Sequence, residues 1–243
     1  MSSMEDDTTL IWLRPEPTGR RPRFTRERIA RVALRIADDE GFEAVTMKRI
    51  ASELGAGTMT LYYYVRTKAD IVALMHDAIL EDVLIPDGEL PAEWKAAVAD
   101  IARRTRDVLI QHPWAISSLN QAQFGPNAMR HFEQSLAALK QTNLTPTQKA
   151  ELTAILDDYV TGSATHTIEI LERVRSATDN PQLVKDAQAY GEALIARGSF
   201  PEVHALAASV EGASISLDVR RDRQFETGLA ALLDGLERHY KFA

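Results

Sequence analysis

Apolar residues recur at helical spacing along almost the whole chain, and no segment alternates as a strand would, so the pattern predicts an all-α fold. From Thr25 to Glu40, Ile29, Val32, Ala33, Ile36 and Ala37 form one stripe, with Thr25 as N-cap and Gly41 as stop. Arg26, Arg28 and Arg31 lie off that stripe, available to phosphate or to solvent. Phe42 and Val45 would plug the small core beside it. Two short helices follow. The first opens at Thr46, buries Ile50, Ala51 and Leu54, and ends at Gly55, where a positive φ lets Gly55-Ala56-Gly57 turn sharply. The second is capped by Thr58 and turns Leu61 and Val65 inward. Such a pair is a helix-turn-helix, whose second helix enters the DNA major groove while neighbouring groups hold phosphate.

Beyond Lys68 the pattern changes. Ile71, Val72, Leu74, Met75, Ile79, Leu80, Val83 and Leu84 cover more than one face, which predicts a connecting helix buried on several sides. Pro86-Asp87-Gly88 ends it, and a helix from Pro91 to about Gln111 carries Trp94, Val98, Ile101, Ala102, Val108 and Leu109 inward. Further helices are expected near 114–121, 126–142, 145–176, 181–196, 201–212 and 221–240, punctuated by proline and glycine. The helices near 145–176 and 221–240 have apolar faces wider than one contact needs, and Gly162, Ser163 and Ala164 permit close approach. They could pair with their copies in a homodimer as a four-helix bundle, or be satisfied within one chain.

The net charge of −7 is unpromising for a polyanion binder until it is divided along the chain. Residues 14–68 hold 12 Lys and Arg against 7 Asp and Glu, whereas residues 69–243 hold 16 against 25. A basic end and an acidic body suit a nucleic-acid reader with a solubilising partner domain. Residues 1–24 are broken by Pro15, Pro17, Gly19 and Pro22; Arg20, Arg21 and Arg23 form either a minor-groove arm or a solvated tail. Leu10 to Leu13 would pack on the domain or on a partner chain. The chain has no cysteine, which excludes disulfides and thiolate chemistry. No apolar run approaches the ~20 residues needed to cross a bilayer and no signal core opens the chain, so no membrane association and a cytoplasmic location are expected.

Thr46-x-x-x-Ile50-Ala51-x-x-Leu54-Gly55, followed by Leu61-Tyr62-x-x-Val65-x-x-Lys68, resembles the DNA-binding signature of the tetracycline-repressor family of bacterial transcription factors. The resemblance implies an N-terminal three-helix reader at 25–69, after the extension 1–24, and a larger helical ligand-binding and dimerisation domain at 70–243. It implies contacts to double-stranded operator DNA from Thr46, Met47, Lys48, Thr58, Met59, Thr60, Tyr62, Tyr63, Tyr64 and Lys68, release by a small-molecule effector, and a dimer.

No nucleophile elbow, phosphate-binding glycine loop or zinc-helix motif is present, so no catalysis, cofactor or metal is expected. An all-helical enzyme or carrier with an attached helix-turn-helix is the alternative. A helical body rich in aromatic and histidine residues suits a mostly apolar effector, with His112, Trp114, Asn120, Gln123, Tyr159, Thr165 and His166 as candidate liners.

Overall fold

The computed structural model describes residues 10–17, 24–198, 200–210 and 217–241. Eleven α-helices and no strand occur among them. The chain forms two compact units, residues 1–165 with 236–243, and residues 166–235.

In the first unit, α1 (Arg26–Glu40) begins where the Thr25 hydroxyl accepts the Arg28 N–H at 3.1 Å and ends at Gly41, φ +89°. Thr46 caps α2 (Met47–Glu53) in the same way, through the Arg49 N–H at 3.1 Å. Gly55, at φ +62°, then makes the left-handed turn that a side chain would strain. The next helix, α3 (Thr58–Leu61), departs from expectation: Gly57 rather than Thr58 is its N-cap, and it lasts four residues. Packing explains its brevity. The Tyr64 ring turns inward to meet Phe24 edge-on at 6.3 Å, and the tyrosine triplet becomes a turn closed by Tyr64 N–H donating to the Leu61 carbonyl at 2.9 Å.

Against α1 lies α4 (Lys68–Val83), opened by a reciprocal cap in which Asp70 N–H donates to Thr67 and Thr67 N–H donates to Asp70. As its all-round apolar pattern requires, α4 is buried along most of its length. The following helix, α5 (Trp94–Gln111), starts three residues later than Pro91, because the Glu93 carboxylate accepts the N–H groups of Lys95 and Ala96 at 3.0 and 2.7 Å. After α6 (Trp114–Ser117) and a 3-10 turn at Leu119–Gln121 comes α7 (Pro126–Ala138). Asp77 of α4 caps α7, its Oδ1 accepting from Asn127 and Ala128 N–H at 2.9 and 3.1 Å. Gln134 in turn pairs with both backbone groups of Ile85, so α7 is tied both to α4 and to the segment that follows it.

The long α8 (Pro146–Asp179) contributes its first half to this unit, as does the end of α11 (Leu217–Tyr240). Lys95 holds Glu237 at 2.6 Å, and the Tyr240 hydroxyl donates to Glu151 at 2.9 Å.

Of the N-terminal apolar run, Ile11 and Trp12 pack on the chain itself, whereas Leu10 and Leu13 are exposed. Ile11 is fully buried, and Trp12 lies so close to Gly125 that a Cβ there would sit 2.6 Å from the indole. Arg26, expected on an exposed edge, anchors this strap instead: its guanidinium donates to the carbonyls of Ile11, Arg14, Pro15 and Tyr64 at 2.8–3.3 Å. Arg14 forms a buried ion pair with Asp70. Burial disfavours the Asp70 carboxylate, but Arg14 and the N–H groups of Arg66 and Thr67 outweigh it and hold the group below its usual range.

The second unit holds the rest of α8, α9 (Pro181–Ala196), α10 (Pro201–Val210) and most of α11. Asn180 caps α9 through the Leu183 N–H at 3.3 Å. Leu183, Val184 and Tyr190 on α9 and Val203 and Leu206 on α10 are exposed, whereas Phe225, Leu229 and Leu233 of α11 are buried.

Candidate functional site

The helix-turn-helix is built from its interior outward. Ile29, Ala33, Val45, Ile50, Leu61 and Val65 are buried to 2% exposure or less, which fixes α2 and α3 on α1 and leaves one polar and aromatic edge in solvent. Met59 and Tyr63 are 75% and 78% exposed and Tyr62 is 44% exposed, despite their apolar surface. Lys48, Thr46 and Lys68 are exposed beside them, with Met47, Thr58 and Thr60 half-buried.

One expected group needs correction. Tyr64 is only 7% exposed and its ring belongs to the core, so it is not on the DNA face. Thr46 caps α2 as its position predicts and remains exposed. Lys68 also has a neighbour that the sequence did not suggest: its ammonium lies 4.7 Å from the centre of the Phe42 ring. Arg20, Arg21 and Arg23 lie outside the described residues.

Behind Phe42 stands a node that joins the reader to the body. Phe42 stacks on Trp114 with centroids 6.1 Å apart and planes 7° from parallel, and His76 of α4 meets the same indole edge-on at 5.4 Å. Asp38, near the end of α1, accepts hydrogen bonds from His112 Nδ1 and Trp114 Nε1, each at 2.9 Å. His76 Nε2 pairs with Ser118 Oγ at 2.9 Å, and burial pushes its imidazole below the usual value despite that bond. His112 and Trp114 therefore connect α1 to the end of α5 and the start of α6. Asp38 was absent from the sequence expectations because nothing local marks a carboxylate in Asp38-Asp39-Glu40 as anything but helix surface.

The body contains a narrow cleft, open to solvent at its mouth and with free space of only about 20 Å³, between α5, α7 and α8. Val98, Ile101, Ala102 and Thr105 form one wall, Ser135 and Leu139 a second, and Leu152, Thr153, Leu156, Asp157 and Val160 the third. None of the seven expected liners is among them. His112 and Trp114 are committed to Asp38. Asn120 is exposed on the 3-10 turn and Gln123 is half-buried after it. Tyr159 is half-buried on α8, Thr165 donates to the Thr161 carbonyl at 2.8 Å, and His166 is exposed. The apolar stripe of α5 and α8 was the better guide to the cleft than the aromatic and histidine content, since those larger rings were used for packing between elements.

Comparison with known proteins decides what the two parts are. Residues 29–75 match the model for bacterial regulatory proteins of the tetR family, and residues 87–240 match the tetracyclin repressor-like C-terminal domain. The chain belongs to the tetracycline-repressor family. It is similar to the HTH-type transcriptional repressor DrrR1 of Streptomyces coeruleorubidus, at 32% identity over 94% of this chain and 83% of that protein. Among solved structures it resembles the tetR-family protein ActR of Streptomyces coelicolor in complex with actinorhodin, with a TM-score of 0.68, 30% identity, and coverage of 88% of this chain and 95% of that one. The same protein in complex with (S)-DNPA superposes with a TM-score of 0.68 at 28% identity, over 89% and 98% of the two chains. This member of the family is a DNA-binding transcriptional regulator, and α2 and α3 form its reader. Among the described residues, no helix is long and apolar enough to cross a membrane.

Proposed function

We propose that the chain acts as a homodimeric repressor that leaves its operator when a small, mostly apolar molecule enters the cleft between α5, α7 and α8. The observation that carries the DNA side is the exposure of Met59, Tyr62 and Tyr63 at a reader whose core is otherwise complete. Large exposed apolar groups clustered on one edge mark a binding surface. Met47, Lys48, Thr58, Met59, Thr60, Tyr62 and Tyr63 are assigned to base edges and sugar-phosphate, and Thr46 and Lys68 to phosphate.

The effector side is supported by the cleft and by ActR, which has been solved with actinorhodin and with (S)-DNPA. As it stands the cleft is narrow, so a ligand of drug-like size must part α5, α7 and α8 to enter. Movement of α5 carries His112, and with it Asp38 and α1, which gives ligand entry a physical route to the reader. A homodimer is supported by the exposed small residue Gly162 on α8, where a Cβ would meet nothing within 4 Å, and by the half-exposed Leu232 on α11.

The test is a titration of the purified protein against its own upstream DNA over a range of salt, with and without a panel of apolar molecules. Specific binding, release by at least one compound, and a reciprocal loss of compound affinity on the operator are expected. Binding that no sequence competes for selectively would remove the operator reading; equal compound affinity with and without operator would remove the switch.

A further inference from the structure

The cleft has an unusual division of polarity. Its three hydroxyl-bearing walls are already satisfied: Thr105 donates to the Ile101 carbonyl at 2.9 Å, Ser135 to the His131 carbonyl at 2.9 Å and Thr153 to the Lys149 carbonyl at 3.0 Å. No lysine, arginine or histidine lines it. His131 touches it from behind, through Thr105 at 3.3 Å, and burial holds that imidazole below its usual range and therefore neutral. One ionisable side chain remains on the lining, Asp157 of α8.

Asp157 lines the cleft from α8, one position beyond Leu156 and three before Val160, yet the residue as a whole is exposed. It therefore stands at the mouth. Among the described residues no hydrogen bond or ion pair engages its carboxylate, and its nearest charged neighbour in the chain, Asp158, is also acidic. Burial and then Asp158 push the Asp157 carboxyl up to about 6. At neutral pH it is still mainly ionised. An anion held at the rim of an apolar cleft, with no cation of its own, is completed by a cation brought from outside.

We propose that the effector of this regulator is an apolar molecule bearing a protonated amine, seated with its apolar body between α5, α7 and α8 and its cation on Asp157. The proposal rests on the cleft being the effector site. Thr105, Ser135 and Thr153 can each still accept a hydrogen bond through a free lone pair, so the same ligand can carry further hydroxyl or N–H donors along its length. An anionic ligand would meet only repulsion at the mouth.

Three probes of matched shape and different charge test the idea on the full chain: 1-naphthylmethylamine, 1-naphthalenemethanol and 1-naphthoic acid, titrated by calorimetry at neutral pH. The amine should bind at least about tenfold more tightly than the alcohol, and the acid more weakly than either. Asp157→Asn should bring the amine down to the alcohol, Asp157→Glu should keep the preference, and Ala102→Phe, which fills the cleft, should remove binding of all three. If amine and alcohol bind the wild type equally and Ala102→Phe abolishes both, the cleft is the site and the cation proposal is wrong. A preference that survives in Asp157→Asn also overturns it. If no probe binds, or Ala102→Phe changes nothing, the cleft reading itself falls and takes this proposal with it.

Discussion

Replacing Asp38 by alanine should both destabilise the protein and loosen the reader from the body. One carboxylate oxygen accepts from two buried donors, His112 Nδ1 and Trp114 Nε1, at 2.9 Å each. Alanine leaves both donors without their acceptor. A buried donor left unpaired costs about 1–3 kcal/mol. The Asp38 side chain is 30% exposed, so water can reach the vacated position and the lower end applies, giving about 2 kcal/mol for the pair. For a chain of this size that corresponds to a fall in Tm of roughly 4–8 °C. Urea unfolding should show a lower midpoint at an unchanged slope. Asp38→Asn keeps an acceptor oxygen in place and should recover much of the loss. In the operator titration, Asp38→Ala should respond less to effector, because the hydrogen bonds from the end of α5 to α1 are gone. An alanine variant with wild-type midpoint, or an asparagine variant as damaged as alanine, would refute the argument that these two bonds hold α1 to the body.

Further outcomes follow from the same geometry. Lys68→Ala should weaken all DNA sequences alike and lower the salt slope by about one unit, whereas Tyr62→Ala should cost about 1–3 kcal/mol on the specific site alone, both read by gel shift. Gly125→Ala should be strongly destabilising, since its Cβ would meet the Asp77 carboxylate and sit 2.6 Å from Trp12; a melting curve like the wild type's would show that the strap is not packed there. Acid should weaken the fold through His76 and His131: burial lowers both pKa values in the folded state, so their contribution is complete above the unfolded value of about 6.5 and is lost as pH falls below it. Asp157 acts in the opposite sense, its raised pKa favouring the fold at low pH and ceasing to do so as pH rises to about 6, so Asp157→Asn should raise Tm at pH 7.5 and not at pH 4. Leu232→Glu should dissociate the dimer in sedimentation, whereas Leu236→Glu, at a position already buried within one chain, should unfold it.

What the chain declares by itself is local. Thr25 and Thr46 cap their helices through N–H groups three residues on, Gly41 and Gly55 stop them at positive φ, and Asn180-Pro181 divides α8 from α9. Each signal is complete within a few residues, because capping and φ preference are properties of neighbouring backbone. The all-α class and the helix-turn-helix follow from them. Tertiary structure decided the rest. That Tyr64 turns inward while Tyr62 and Tyr63 do not depends on Phe24 and Arg26, which approach from 40 and 38 positions away. Asp38 meets His112 and Trp114 across 74 and 76 positions, and this pairing moved two expected ligand contacts into the joint between reader and body. The cleft itself is bounded by α5, α7 and α8 together. A helix reveals which of its faces is apolar, but whether that face closes on a neighbour or leaves room for a ligand depends on side-chain volumes supplied by three distant segments.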